Sequence, residues 1–309
     1  MLLQKPIVQA RIEYNMSVSQ LIDSLAGCGF GAGRLSEAVD IYREMVNDKE
    51  CTKFFGFAGA MVAAGMRNIV SDLIRNKEID ILVTTGANIV HDILESMGLR
   101  HYRGSEINDD IALKHNSINR IYDVFVPEEH FSMFEEKLQT IFNILPNKLS
   151  ISELLSYIGK NLDDDDSILK SAYDMKIPVY CPAISDSILG LQAWLYKQKH
   201  KLEVDVFADM RELIDKCYEA KRCGTLIVGG GVPKNFILQC MLVTPKCFDY
   251  AIQLTMDRPE TGGLSGATLH EARSWGKVGE NARTVTVYSD ATITLPIIIA
   301  AAKSGYSYA

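Results

Sequence analysis

The chain has 309 residues, 47% of them hydrophobic and 23% charged, with a formal net charge of −7. That length and composition suit a globular α/β protein with a sizeable core, and the acidic balance argues against nonspecific nucleic-acid binding and favours cationic ligands weakly. Seven cysteines in irregular spacing, with no CxxC pair, suggest neither a zinc site nor a disulfide framework and fit a reducing cytoplasm.

Residues 1–50 read as helices packed on the outside, for example Ser17–Leu25 and Ser36–Asn47. The start, Met1-Leu2-Leu3-Gln4-Lys5-Pro6, lacks the apolar core and cleavage site of a signal peptide. Gly27-Cys28-Gly29-Phe30-Gly31-Ala32-Gly33 resembles a phosphate loop. It has no GKS/T ending and no preceding strand, so it reads as a flexible turn between helices.

From residue 51 onward, short β-branched runs alternate with helical periodicities. Strands are expected at Ile79–Thr84, Ile121–Phe125, Ile177–Tyr180, Val204–Phe207, Thr225–Val228, Tyr250–Leu254 and Val285–Tyr288. Most are nearly continuous in Val, Ile and Leu, as strands covered on both faces are. Helices are expected at Val90–Met97, Phe131–Ile144, Ser150–Lys160, Asp209–Lys221 and Asn235–Val243. The pattern predicts an α/β fold, a Rossmann-like, mostly parallel sheet with helices on both faces and an N-terminal helical extension. One catalytic domain is expected over residues 51–309. The acidic run Asp163–Asp166 reads as a solvated helix N-terminus and not as a metal site. The longest apolar run, Leu295–Ala302, is too short to cross a bilayer and contains Pro296.

Ligands of open α/β sheets bind beyond the carboxyl ends of the strands. Thr84-Thr85-Gly86-Ala87, Ser185-Asp186, Gly229-Gly230-Gly231 and Asp290-Ala291 each follow a predicted strand. Glycine allows close backbone approach and helix N-termini suit phosphates. Together they suggest a nucleotide pocket without the GxGxxG fingerprint, although each alone is explained as well by a strand-to-helix turn. The stretch Gly262 to Lys277 carries a glycine-rich loop into a predicted helix. Glu271 and Trp275, spaced i,i+4, share one face of such a helix. An acid and an indole beside an amine suit a cationic substrate, and Lys277 is a candidate imine-forming nucleophile. A helix start with a packed Trp and a surface Lys is the plainer alternative.

Ser265-Gly266-Ala267, Glu271-Ala272 and Ser274-Trp275-Gly276-Lys277 together resemble the active-site signature of the deoxyhypusine synthase family. Other motifs of that family stand in the same order: Val83–Asn88, Ile118–Asp123, Cys181–Ser187, Gly229–Asn235 and Tyr288–Ala291. The resemblance implies NAD, held by Gly59 to Ala63, Thr85, Gly86, Ala87, His91, Asp186, Gly230, Met256, Asp257, Asp290 and Ala291. It implies Lys277 as the catalytic lysine, Glu271 holding a terminal ammonium of spermidine and Trp275 flanking its alkyl chain. Asn235, Gly262 and Gly263 line the same substrate region. The implied reaction moves the aminobutyl group of spermidine onto Lys277 and then to a lysine of the eIF-5A-type translation factor precursor. It also implies a homotetramer with sites shared between chains. This sequence departs from eukaryotic members, which carry serines at Gly59 and Ala63 and an acid at His91. They have acids where Leu191, Val90 and Leu264 stand here, and a histidine in place of Asn235. Two alternatives follow: a homospermidine synthase with putrescine as acceptor, and a catalytically silent NAD-binding protein.

Overall fold

A computed structural model describes residues 5–304; Met1–Gln4 of the N-terminal stretch read above lie outside the described residues. The chain divides into two compact units, one made of residues up to Gly56 together with those from Leu213, the other of Phe57–Glu212. The first begins with α1 (Val18–Leu25), α2 (Phe30–Asn47) and β1 (Cys51–Phe57). Ser17 caps α1 in a capping box with Gln20. Gly29 occupies the N-cap of α2, so the helix begins six residues earlier than the apolar pattern of Ser36–Asn47 suggests. The Gly27–Gly33 stretch is therefore only in part a turn: Gly31 and Gly33 are helical. A Cβ on Gly33 would lie 2.2 Å from the carbonyl oxygen of Cys28, so no larger residue fits the helix entry.

The Phe57–Glu212 unit continues with α3 (Arg67–Arg75), β2 (Ile81–Thr84), α4 (Gly86–Ser96) and β3 (Tyr102–Arg103). Then come α5 (Asp110–His115), β4 (Ile118–Ile121), β5 (Val124–Pro127) and α6 (Glu129–Phe142). The predicted strand Ile121–Phe125 is in fact a hairpin, β4 and β5, with Tyr122 at φ +54° in the turn. The unit closes with β6 (Lys148–Ser150), α7 (Ile151–Lys160), α8 (Ile168–Met175), β7 (Val179–Tyr180), α9 (Ile188–Lys197), β8 (Glu203–Asp205) and α10 (Val206–Glu219). β2 pairs in parallel with β7, and β6 with β8. Val206 and Phe207, expected in a strand, begin α10 instead. Oδ1 of Asp205 accepts from the N–H groups of Phe207 and Ala208 and starts the helix against their β propensity. The acidic run before α8 is not merely solvated. Asp164 binds the buried Arg67 at 2.6 Å, and Arg67 also donates to the buried Asp92 at 2.7 Å.

From Leu213 the chain returns to the first unit with β9 (Arg222–Val228), α11 (Gly231–Cys240), β10 (Phe248–Thr255), α12 (Glu271–Ser274), β11 (Val278–Tyr288) and α13 (Ala291–Lys303). The strand order in this unit is β11-β10-β9-β1, with β10 parallel to both β9 and β11. Successive residues of a strand face opposite sides. On one face Met45 of α2 packs against Gly224, and on the other Leu269 packs on Ile227 and Ala251. The α/β fold with a mostly parallel sheet and helices is as the patterning predicts. The boundary expected at residue 50 is not seen. Arg43 of α2 donates to Ser19 in α1 and to the Ala301 carbonyl in α13, at 2.8 and 2.9 Å, so the N-terminal helices are an integral layer of this unit. No helix among the described residues is long and apolar enough to cross a membrane.

Candidate active site

In the unit containing β9–β11, the carboxyl ends of the parallel strands carry three of the expected loops. The Gly229 amide donates to the Leu254 carbonyl at 2.7 Å, and Ser289 donates to Thr255 at 3.1 Å. These bonds hold the Gly229–Gly231, Met256–Asp257 and Asp290–Ala291 turns side by side. Gly229 and Gly231 have φ of +75° and +54°, a region that favours glycine. A Cβ on Gly230 would lie 2.5 Å from Cα of Ser265, so this glycine permits the two loops to touch. Asp290 caps α13 through Oδ1, which accepts from Thr292.

The loop of the lysine motif is tied to the Gly229–Asn235 turn by two side chains that sequence reasoning did not single out. Gln253, buried in β10, donates to the carbonyls of Gly229 and Ser265 at 2.9 and 2.8 Å. Lys234, 3% exposed, donates from Nζ to the carbonyls of Leu264 and Ala267. Burial pushes the Lys234 ammonium down to about 8; Glu271 and Asp257 oppose this, and Lys277 adds to it. The signal for Gln253 was present: a lone amide in an otherwise apolar strand needs buried partners. Lys234 lies inside the Gly229–Asn235 motif, where local spacing alone does not mark it as buried.

The helix expected to carry Glu271 and Trp275 on one face is a single turn, α12, and Trp275 is its C-cap. Gly276 follows at φ +69°. Its N–H bonds to the Arg273 carbonyl at 3.0 Å, and the Lys277 N–H bonds to Ala272 at 3.1 Å. This is the paired closure of a left-handed helix end, and it accounts for glycine before the lysine. The Lys277 carbonyl accepts in turn from Phe248 at 3.0 Å. Lys277 is thus fixed by its main chain on both sides at the start of β11, and its Nζ lies 5.5 Å from the centre of the Trp275 ring. Trp275 and Met256 are 62% and 71% exposed, and Glu271, Gly262 and Gly263 are exposed with them. Asn235 is partly exposed and bonds to Gln239 at 3.1 Å. Val278 pairs with Phe248 and Tyr288 with Thr255 along the same parallel ladder. The Lys277 main chain therefore stands at the opposite end of the strands from Met256, Asp257 and Asp290, while its ammonium and the Asp257 carboxylate both act on the Lys234 ammonium.

In the Phe57–Glu212 unit the expected loop residues meet. Thr85 caps α4, accepting from Asn88, and its hydroxyl donates to the Gly59 carbonyl at 2.8 Å. Asn88, buried and assigned no role from sequence, donates to the Phe57 carbonyl and accepts from the Val62 N–H. It thereby pins the Gly59–Ala63 turn to the first turn of α4, beside Gly86 and Ala87. A Cβ on Gly86 would lie 2.2 Å from Cβ of Ser187, which brings the Cys181–Ser187 segment and its exposed Asp186 to the same helix start. His91 is buried, and its Nδ1 is 2.8 Å from Nε2 of His101. Burial first, then His101, pushes the His91 imidazole down to about 4, with Glu95 opposing. Of the apolar residues that stand where the resemblance implies acids, Val90 is in the core, whereas Leu191 and Leu264 are about half exposed.

Parallel strands ending in glycine turns and helix N-termini define an α/β fold of the class that places loops suited to ligands at its strand ends. The deoxyhypusine synthase family profile matches residues 20–302. "Probable deoxyhypusine synthase 1" of Methanosarcina acetivorans is 63% identical, covering 99% of this chain and 96% of the relative. "Probable deoxyhypusine synthase 1" of Archaeoglobus fulgidus is 47% identical, covering 95% and 96%. The crystal structure of a candidate deoxyhypusine synthase from Entamoeba histolytica shares the fold at 18% identity, with a TM-score of 0.64 and 94% of each chain covered. The chain belongs to the deoxyhypusine synthase family and is a transferase.

Proposed function

We propose that the protein transfers the aminobutyl group of spermidine, with NAD, to a lysine of the eIF-5A-type translation factor precursor, forming deoxyhypusine in the cytoplasm. The observation that carries this reading is the turn Glu271–Lys277. A carboxylate opens the turn, an indole closes it, and an amine follows over the indole ring. Cation attraction to the carboxylate and the ring suits a polyamine. The Lys277 main chain is held on both sides, which anchors the root of the side chain whose amine would form the imine. Support for NAD comes from each unit by itself: in one, the glycines Gly59 and Gly86 and the N-terminus of α4, and in the other, Gly230 and the N-termini of α11 and α13, helix starts of the kind that suit a pyrophosphate. NAD would supply the hydride acceptor. Glu271 would anchor the terminal ammonium, and Lys277 would take the four-carbon unit as the three-carbon diamine leaves. All seven cysteines are free thiols, in keeping with a reducing compartment.

We also infer a homotetramer with sites shared between chains. The separation of the Lys277 main chain from the Met256–Asp257 and Asp290–Ala291 turns along the β10–β11 ladder favours a site completed by a second copy. The deciding experiment incubates the protein with NAD and spermidine labelled in the aminobutyl carbons, offering the purified translation factor or putrescine. Label on the factor is expected. Label only on homospermidine would replace this reading with the diamine transferase, and label on neither would leave a binding protein.

A further inference from the structure

A buried polar chain in the Phe57–Glu212 unit is left unused by the chemistry above. His91 and Glu95 stand one turn apart on α4, and His101 follows the helix. Oε1 of Glu95 is 2.6 Å from Nδ1 of His101, and Nε2 of His101 is 2.8 Å from Nδ1 of His91. The two rings meet edge to face with centroids 4.8 Å apart. The side chains of His101 and Glu95 are only 7% and 15% exposed.

The order of donors follows from the carboxylate. Burial raises the Glu95 pKa, but bonds from the His101 ring and N–H and from Arg100 outweigh it and bring the group down to about 2. An ionised carboxylate only accepts, so Nδ1 of His101 carries a proton. With both rings neutral, Nε2 of His101 holds a lone pair and accepts from Nδ1–H of His91. Nε2 of His91 is then a free base. A proton arriving there forms an N–H bond, the Nδ1–H bond of His91 breaks, and an N–H bond forms at Nε2 of His101. One proton enters and no electrons move. The positive charge comes to rest beside Glu95, and His91 stays neutral as its other tautomer.

We propose that Glu95, His101 and His91 form a proton relay, with Nε2 of His91 as the accepting atom. It takes the N–H proton released when a secondary amine is oxidised to an imine near the Thr85–Ala87 turn that opens the same helix. NAD, when bound, would supply the acceptor for the carbon's hydride, so the balance closes. The second statement rests on the NAD-dependent reading above. Other charged groups facing the chain are Arg100 on Glu95 and, on α6, Glu129 and His130. Nδ1 of His130 is buried with no hydrogen-bond partner among the described residues.

Ring-nitrogen NMR of the full-length protein with NAD tests the relay without any turnover. Between about pH 5 and pH 9, where histidines titrate, His91 is expected as the Nδ1–H tautomer at the alkaline end. On acidification it should switch to Nε2–H while uncharged, as His101 takes the proton. His91 held as Nε2–H throughout, or charging before His101, overturns the relay. Stopped-flow NADH formation from spermidine tests its use. His101→Gln should slow that step by about tenfold or more, as loss of acid–base assistance does, and flatten its pH profile while NAD affinity holds. Glu95→Gln, which keeps an acceptor for His101, should slow it less. Unchanged rates and profiles in both folded variants overturn the proposed use. If the wild-type protein forms no NADH from spermidine, the amine-oxidation reading fails, and the ring-nitrogen spectra still decide the relay.

Discussion

At the scale of single residues, Lys277 is held by its main chain on both sides. Its N–H is tied to Ala272 and its carbonyl to Phe248, with Gly276 in the left-handed conformation that makes the closure possible. Arginine at 277 would keep the charge and the packing but has no amine able to form an imine. Lys277→Arg is therefore expected to lose aminobutyl transfer entirely while binding NAD as before. Borohydride trapping with NAD and spermidine should place the adduct on Lys277; transfer by the arginine variant would end the assignment. Glu271 plays a different part, pairing with an ammonium. Removing its charge should weaken spermidine use by roughly 1.5–3 kcal/mol, the range for hydrogen bonds to charged groups. Isothermal titration and steady-state KM for Glu271→Gln check this, and an equal loss for NAD would make Glu271 a structural residue. The i,i+4 spacing of Glu271 and Trp275 was legible, but the length of their helix was not. It ends after one turn because a non-local strand begins at Val278.

At the scale of elements, caps decided the boundaries that hydrophobic periodicity missed. Asp205 starts α10 by accepting from two N–H groups against the β propensity of Val206 and Phe207, and Gly29 stands at the N-cap of α2 ahead of the apolar pattern. A further carboxylate sits at the first turn of α7. Asp209, 1% exposed, accepts from the Ser152 N–H at 3.0 Å, and its Oδ2 is buried with no hydrogen-bond partner among the described residues. Burial pushes it up to about 6, against the downward pull of the Ser152 bond. The folded state then holds a proton that the unfolded chain has released between about pH 4 and pH 6, so stability falls as pH rises through that window. A shift of about two units bounds the effect near 3 kcal/mol. Urea midpoints at both ends of the window should show this fall, and Asp209→Asn should remove most of it. An unchanged slope in the variant would place the proton elsewhere.

At the scale of the whole molecule, the two compact units each carry part of the motif set. The Thr85, Gly86, Asp186 and His91 region lies in one, and the Gly230, Asp290 and Lys277 regions lie in the other. The Lys277 and Asp290 main chains also stand at opposite ends of one parallel ladder. A shared site predicts complementation. Lys277→Ala and Asp290→Ala, each inactive alone, should recover part of the activity when dissociated and reassembled together, since some sites then pair two intact halves. Sedimentation should show a tetramer at micromolar protein. A monomer, or no recovery despite proven subunit exchange, would exclude shared sites.

The sequence by itself determined the α/β class, the alternation of parallel strands and helices, and the family, because these rest on local periodicity and on short motifs in order. It also marked the glycines that let loops approach, at Gly86 and Gly230, although not what they approach. Only the tertiary structure decided that Ser187 and Ser265 are those neighbours, that Asn88, Lys234 and Gln253 hold the loops, and that His101 completes a chain from Glu95 to His91. Each of these depends on a hydrogen bond or contact between segments well separated along the chain or lying outside one helical face. Buried polar groups must find partners wherever folding brings them, and nothing in local spacing states which partner that will be.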